Sequence, residues 1–338
     1  MSLNTTRAKD PICSVIIRAF NEEKHIGRLL TGILHQSVEN VEIILVDSGS
    51  SDATIAIASR FPVHVFRMAP GDFTFGRSLN LGCHHARGEF IVSASAHVYP
   101  VYADWLENLL TPFEEPQVAL VYGRQRGNDH TRFSEHQILA AWFPEESNLD
   151  QGHPFCNNAN AAIRRALWEE RRYDEDLPGL EDLEWATWAQ GQGYQIAYAA
   201  DAEVIHIHEE TYAQIYNRYR REAMGLKRIH PHETFRIYDL LRLFTTNVFA
   251  DLWHAMGQRS LVREFFGIFA FRWMQFWGTY RGFREAGPLT SELKRAFYYP
   301  RGIRANSNDR ARDAEAIDYR GAATSSRPEE KPLGGGEG

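Results

Sequence analysis

An alternation of buried strands and amphipathic helices constrains this chain more than any other feature. Ser14-Val-Ile-Ile17 is an apolar run that stops at Arg18-Ala-Phe-Asn-Glu-Glu23, after which Ile26, Leu29, Leu30, Ile33 and Leu34 recur at helical spacing. Val41–Val46 repeats the pattern, ending at Asp47-Ser-Gly-Ser-Ser-Asp52 ahead of Ile55, Ile57 and Ala58. Val63–Met68 alternates like a half-exposed strand, Gly71–Gly82 opens a helix that ends near Ala86, and Gly88 is expected to close it. Phe90-Ile-Val92 then leads through Ser93-Ala-Ser95 to a lone His97 and Pro100. Apolar strands alternating with helices predict a doubly wound, mainly parallel, Rossmann-like α/β sheet. Ligands of such sheets sit beyond the carboxyl ends of the strands, where Asp47, Ser95 and His97 fall. Taken singly these residues have plainer readings: a turn with a helix cap at 47–52, and a His97 bonded to backbone.

The 338 residues, 43% hydrophobic and 24% charged, suffice for one large core with an appendage. Cys13, Cys83 and Cys156 form no CxxC pair, which argues against a disulfide framework or zinc ribbon and for a reducing compartment. The first ten residues contain no apolar segment, and no uncharged apolar run is long enough to span a bilayer. The expected location is cytoplasmic, with a peripheral position at the inner face of the cell membrane left open. The net charge of −7 hides an asymmetry, because residues 236–304 carry eleven Lys and Arg against five Asp and Glu. That balance of +6 leaves −13 for the remainder, so the two parts face different partners, and a nucleic acid is not expected among them.

Four ordered stretches carry a resemblance: Ser14-Val-Ile-Ile-Arg-Ala-Phe-Asn-Glu22, Ile43-Ile-Leu-Val-Asp-Ser-Gly-Ser-Ser-Asp-Ala-Thr54, Asn80-Leu-Gly82 and Ala86-Arg-Gly-Glu-Phe-Ile91. Together they resemble glycosyltransferase family 2 over roughly the first two thirds of the chain. The resemblance implies a GT-A fold, a nucleotide-diphosphate sugar as donor and inversion at the anomeric carbon. It implies that Phe20 and Glu22 flank the nucleotide, that Asp47 binds its base or ribose, and that Arg77 lies near the diphosphate, with Ser95 at the strand end where substrate is held. Where the family usually has Asp-x-Asp for a metal, this chain has Ser95-Ala-His97. Trp105–Leu110 and Tyr122-Gly-Arg-Gln125 resemble the rhamnosyltransferase-like branch, which keeps the last of the two acids, and His97 stands at that position. Imidazole suits manganese or zinc better than magnesium. The expectation is that His97 binds a divalent metal, manganese before magnesium, helped by His206 or His208 and by the diphosphate. The competing account is metal-free, with Arg77 and Arg218 to Arg221 taking the charge and His97 bonding a phosphate.

Gly123–Gly152 reads as a long irregular connection, either disordered or a lid. Asn157, Asn158 and Asn160 suit hydroxyl recognition or turns. In Tyr173–Trp185 a Pro-Gly turn delivers Glu181 and Asp182 to the first turn of a helix, where capping alone could explain them. The resemblance matches them to the family's acidic pair at the acceptor site and makes Asp182 the candidate general base, beside Glu181. His206 and His208 share one face of the strand Ala202–His208 and are either buried and satisfied or ligands. The helix Tyr212–Arg228 carries Arg218, Arg220 and Arg221, a solvated basic face or a diphosphate clamp in which Arg218 and Arg221 take part.

Leu240, Phe244, Val248, Leu252 and Met256 define an amphipathic helix, and Leu261–Phe283 is rich in aromatic residues. This region either packs on the catalytic domain or a second subunit, or lies in a membrane interface with Arg263, Arg272, Arg281 and Arg284 towards anionic headgroups. The expected division is 1–230 catalytic GT-A domain, 231–304 helical region and 305–338 disordered tail. The reading is a hexosyl- or deoxyhexosyltransferase that moves a sugar to a hydroxyl of a glycan or lipid-linked acceptor, with homo-oligomer formation left open. A nucleotidyltransferase would need a glycine-rich, lysine-containing phosphate loop near the start, which is absent. A non-catalytic sugar-nucleotide-binding or scaffolding protein is the other rival, and the pair Glu181-Asp182 argues against it.

Overall fold

The computed structural model describes residues 10–285, 287 and 317. The expected tail at 305–338 lies outside the described residues apart from Ile317, whose N–H donates to the Val101 carbonyl at 3.3 Å.

The elements follow the predicted alternation: β1 (Cys13–Ala19), α1 (Ile26–Leu34), β2 (Val41–Asp47), α2 (Thr54–Ala58), β3 (His64–Arg67), α3 (Phe75–His85) and β4 (Phe90–Ser95). The second half adds β5 (Val98–Pro100), α4 (Trp105–Leu110), β6 (Val118–Arg126), α5 (Phe133–Trp142), β7 (Asn160–Arg164), α6 (Arg165–Glu170), α7 (Glu181–Gly191) and β8 (Gln195–His206). Three longer helices follow, α8 (Tyr212–Ile229), α9 (Ile237–Gly257) and α10 (Leu261–Arg284). The eight strands lie in one sheet in the order β3-β2-β1-β4-β7-β6-β8-β5. β1 to β4 pair in parallel, whereas β7 runs antiparallel to both β4 and β6, and β5 runs antiparallel to β8.

Continuous apolar strands arise because both faces of the sheet are covered. Val15, Ile17, Ile43, Leu45 and Val92 meet Leu29, Leu30 and Trp105 on one side. Ile16, Ile44, Val46 and Ile91 meet Leu79, Cys83 and Trp185 on the other. Each such side chain contributes roughly 1.5–3 kcal/mol by leaving water. The register sets Ala19 opposite Asp47 and Arg18 opposite Ser95, so three loops leave the same edge side by side.

Two expectations are corrected here. Gly88 does not cap α3, which ends at His85 and Ala86. Its backbone is not left-handed; instead a Cβ there would lie 2.5–2.7 Å from the Cys13–Ser14 backbone, so glycine permits close approach of two chain segments. The stretch 123–152 is neither disordered nor a loose lid. β6 continues to Arg126 and α5 follows, with Ile138 packed on Ile215 and Phe271 and Leu139 packed in the sheet core. A helix contacted on several sides lacks the single apolar stripe that periodicity detects. The loop beyond α5 is pinned by reciprocal Asn148–Tyr198 backbone bonds of 2.9 and 2.7 Å and by Ala200 N donating to Ser147 Oγ at 2.9 Å.

The helices α9 and α10 form where the sequence predicted them. Met256, however, points to solvent while Leu240, Val248 and Ala255 are buried. Arg272 is corrected too: it is buried, its guanidinium bonded twice to Asp251 at 2.8 Å and once to Gln275 at 2.9 Å, so it cannot face headgroups. α10 lies tightly along α8, because a Cβ at Gly278 or Gly282 would fall 2.4 or 2.3 Å from the Tyr216 or Arg220 carbonyl oxygen. We predict that Gly282→Ala costs about 1–3 kcal/mol, as overpacking does. Denaturant unfolding measures this, and an unchanged midpoint would show that the helices are not in close contact.

Candidate active site

The loops leaving β1, β2 and β4, the ends of β6 and β8, and the starts of α7 and α8 enclose a cleft of about 1080 Å³. Three histidines meet in it. Val98 pairs with His206 across β5 and β8, and Ile207 N donates to the His97 carbonyl at 3.1 Å, which brings the end of β4 beside the end of β8. The ring centroids of His97, His206 and His208 lie 4.0–6.0 Å apart, and one ligand nitrogen from each falls within 4.8 Å of the others.

The Nδ1 of each ring is anchored by a side-chain oxygen: Glu22 at 2.8 Å for His97, Gln125 at 2.7 Å for His206 and Glu135 at 2.7 Å for His208. An oxygen acceptor fixes the proton on Nδ1 and leaves the Nε2 lone pair for another partner. His206 Nε2 is buried with no protein partner. Burial, with His208, His97 and Arg218 nearby, holds the His206 pKa well below its ordinary value, so this ring is neutral. Burial also works against protonation of His97, but the Glu22 carboxylate outweighs it and the net shift is upward. The donor chemistry of this set, three imidazoles with oriented tautomers, fits a first-row divalent cation.

Glu135 ties the cluster to the helices. Its buried carboxylate accepts from His208 and from Arg218 Nη2 at 2.6 Å; burial works to raise its pKa, but the Arg218 guanidinium and the two hydrogen bonds hold it down at about 2. Arg218 also pairs with Glu210, so its charge is already shared between two carboxylates.

Glu181 and Asp182 open α7 as predicted, after Leu180 in a left-handed conformation with φ 64°. Glu181 accepts from Arg18 Nη1 at 3.0 Å. Asp182 is buried, with Oδ2 accepting from Asn158 N at 2.9 Å and Oδ1 from Leu183 N at 2.8 Å. Burial, and then the charge of Glu181, push the Asp182 pKa up to about 7 despite those bonds. The neighbouring Asn158 side-chain amide is buried with neither polar atom bonded to protein. Arg18 and Arg221 both stack on Phe75, each with its guanidinium carbon 4.7 Å from the ring centroid, and all three line the cleft.

Of the residues singled out in the sequence, Phe20, Glu22, Ser95, His97, Glu181, Asp182, His206, His208, Arg218 and Arg221 line this cleft. Asp47 and Arg77 do not. Asp47 is buried and accepts from Gly49 N and Ser50 N at 3.2 Å, which shapes the loop that presents Ser51 and Asp52. Arg77 is bonded to Glu175 at 2.9 Å and to the Asp72 carbonyl. Glu22 serves His97, and Asn160 is structural, accepting from Trp105 Nε1 at 2.8 Å. Arg220 turns out of the cleft onto Glu285. Sequence reading missed Arg18, Gln125 and Glu135, whereas Asn158 is among the residues it singles out for hydroxyl recognition or a turn.

A mixed sheet of this order, with its cleft at the strand ends and a helical C-terminal region, is a GT-A-like fold. The sequence profile described as Glycosyl transferase family 2 matches residues 14–172, a little under half of the chain. The chain is 28% identical over 219 residues to the O-antigen chain rhamnosyltransferase RfbN of Salmonella typhimurium, covering 61% of this chain and 69% of that one. It is 29% identical over 195 residues to the O-antigen chain rhamnosyltransferase WbaN of Salmonella anatum, covering 54% and 62%. Among solved structures, a mannosyltransferase from Pyrobaculum calidifontis in complex with GDP-Man and Mn2+ superposes with a TM-score of 0.55 at 19% identity, over 82% of this chain and 86% of that one. This last likeness concerns the fold.

Proposed function

We propose that the protein transfers a hexose or deoxyhexose, with inversion, from a nucleotide-diphosphate sugar to a hydroxyl of a glycan or lipid-linked acceptor. The observation that carries this reading is the coexistence, in one cleft at the strand ends, of the three-imidazole cluster and a buried carboxyl group that titrates near neutrality. The relatives named as O-antigen chain rhamnosyltransferases support a cell-surface polysaccharide as the acceptor. The solved mannosyltransferase, with its GDP-Man and Mn2+, supports a nucleotide sugar and a divalent metal.

The roles follow from position. Phe20, Ser51 and Asp52, on the loops after β1 and β2, take the nucleotide, with the loop held in shape by Asp47. His97, His206 and His208 hold the divalent cation, manganese in preference to magnesium because all three donors are nitrogen. Bound there, the cation would neutralise charge on the diphosphate. Arg18 and Arg221, steadied by Phe75, offer fixed positive charge on the same cleft wall. Asp182 in its ionised form accepts the proton of the acceptor hydroxyl. That oxygen forms the new bond to the anomeric carbon as the bond to the diphosphate oxygen breaks, and the electron pair leaves with the diphosphate.

Asp182 can act as a base only when ionised, so with its pKa at about 7 turnover should rise with pH through that value and level off above it. The same raised pKa means that the folded protein holds a proton the unfolded chain releases, so stability falls as pH rises from the ordinary carboxylate range to about 7 and levels off above it. Asp182→Asn should lower turnover by ~10²–10⁴ and remove the acidic limb, while donor binding persists. Proton NMR of the product should show inverted anomeric configuration. Near-normal turnover in the variant, or a retained anomer, would sink this mechanism.

A second proposal concerns location. Ten of the fourteen large apolar side chains exposed among the described residues lie between Ile237 and Trp273, including Phe249, Trp253 and Phe266 at 71, 72 and 82% exposure. Exposed Arg236, Arg242, Arg259 and Arg263 accompany them. No helix among the described residues is long and apolar enough to cross a membrane. An apolar face edged with arginine suits the surface of an anionic bilayer, where the acceptor of such an enzyme can reside. The protein should sediment with vesicles containing phosphatidylglycerol, less so in high salt, and Trp253→Ser with Phe266→Ser should abolish this. Indifference to vesicles together with a dimer in light scattering would assign the face to a second copy instead.

A further inference from the structure

Beside the main cleft lies a second cavity of about 900 Å³, bounded by the loop 144–157, the start of α7, α8 and α10. The two share a wall made by Trp142, Asn157, Leu180, Asp182 and Glu222. The Asp182 carboxyl group is thus within the lining of both. Six aromatic residues line the second cavity, four of them in a fixed arrangement. Phe155 meets Trp142 edge-on at 5.5 Å and Tyr122 at 5.6 Å, and Tyr122 lies 5.0 Å from Tyr198. The phenol hydroxyls are committed elsewhere, Tyr122 to Gln151 Oε1 at 2.7 Å and Tyr198 to the Pro144 carbonyl at 2.6 Å, and both rings are buried, so they back the cavity and Tyr122 fixes Phe155. Trp142, at the end of α5 on the shared wall, remains 45% exposed.

We propose that this second cavity holds a pyranose-containing acceptor, with one ring stacked on Trp142, which Phe155 braces edge-on, and a hydroxyl directed at Asp182. The proposal rests on the reading of Asp182 as the base, and adds where and by what chemistry the other substrate is held. A pyranose has an apolar C–H face and a rim of hydroxyls, and this cavity pairs aromatic side chains with polar ones, among them Asn157 and Glu222 on the shared wall and Gln275 and Thr279 on α10. Its volume exceeds what a single ring requires, which suits the growing end of an oligosaccharide. α10 contributes Gln275, Thr279 and Phe283 to the far wall, so the C-terminal helices belong to acceptor recognition as well as to the surface.

Saturation-transfer NMR on the full chain, with a nucleoside diphosphate present, tests this directly. The probes are the methyl pyranosides of galactose, glucose, mannose and rhamnose and their octyl glycosides. At least one methyl pyranoside should receive saturation from aromatic protons, and its affinity should fall by about tenfold or more in Trp142→Ala and in Thr279→Trp, which fills the cavity from α10. Binding by octyl glycosides alone would assign the cavity to a lipid tail and overturn the proposal. So would pyranoside binding that neither variant weakens, or none at all while calorimetry shows the nucleoside diphosphate bound. Failure of the nucleoside diphosphate itself to bind would overturn the donor reading on which the proposal stands.

Discussion

The site depends on three hydrogen bonds from imidazole Nδ1 atoms to side-chain oxygens. Glu22, Gln125 and Glu135 come from a loop after β1, from the end of β6 and from α5, and each turns one histidine so that its second nitrogen is left for another partner. Three chain segments far apart in sequence therefore have to be placed together before the cluster exists. The sheet does this: parallel pairing of β6 with β8 brings Gln125 opposite Val204, two residues from His206. Without those acceptors the rings could rotate or exchange tautomers, and a cation would find fewer oriented donors.

Glu135 carries the same constraint outward. By accepting from both His208 and Arg218 it couples the histidine cluster to α5 and α8, and α8 is in turn held against α10 by Gly278 and Gly282. The buried Arg272–Asp251 pair then joins α10 to α9, and Arg272 reaches the Ser134 carbonyl of α5. Breaking such a pair by removing one partner typically costs several kcal/mol because it strands a buried charge. The C-terminal helices thus form part of the cleft's support, which accounts for aromatic density beyond what a separate hairpin could bury.

Much of this was legible in the sequence. Strand ends could be read from apolar runs that stop at polar residues, and His97, Asp182, His206 and His208 stand at such ends or at a helix start. Their partners were not legible. Nothing local to Gln125 or Glu135 reveals that a histidine some eighty residues away will dock on it, since that relation is made by sheet register. Arg77 shows the converse: a cation near a loop looks like a phosphate ligand until a distant carboxylate, Glu175, is found beside it. Asp47 likewise reads as a ligand contact, yet two backbone N–H groups of its own loop occupy it.

The central claim is that the three imidazoles form a cation site facing the buried acid. Manganese binding followed by electron paramagnetic resonance, with UDP, GDP, dTDP and CDP added in turn, tests it most directly. The account predicts Mn2+ binding that strengthens with one of the nucleotides, weakens by about 10–100-fold in Gln125→Leu, whose side chain no longer anchors His206, and is lost in His206→Asn. Binding unchanged in both variants, or no binding by a protein that remains fully active in excess chelator, would contradict it.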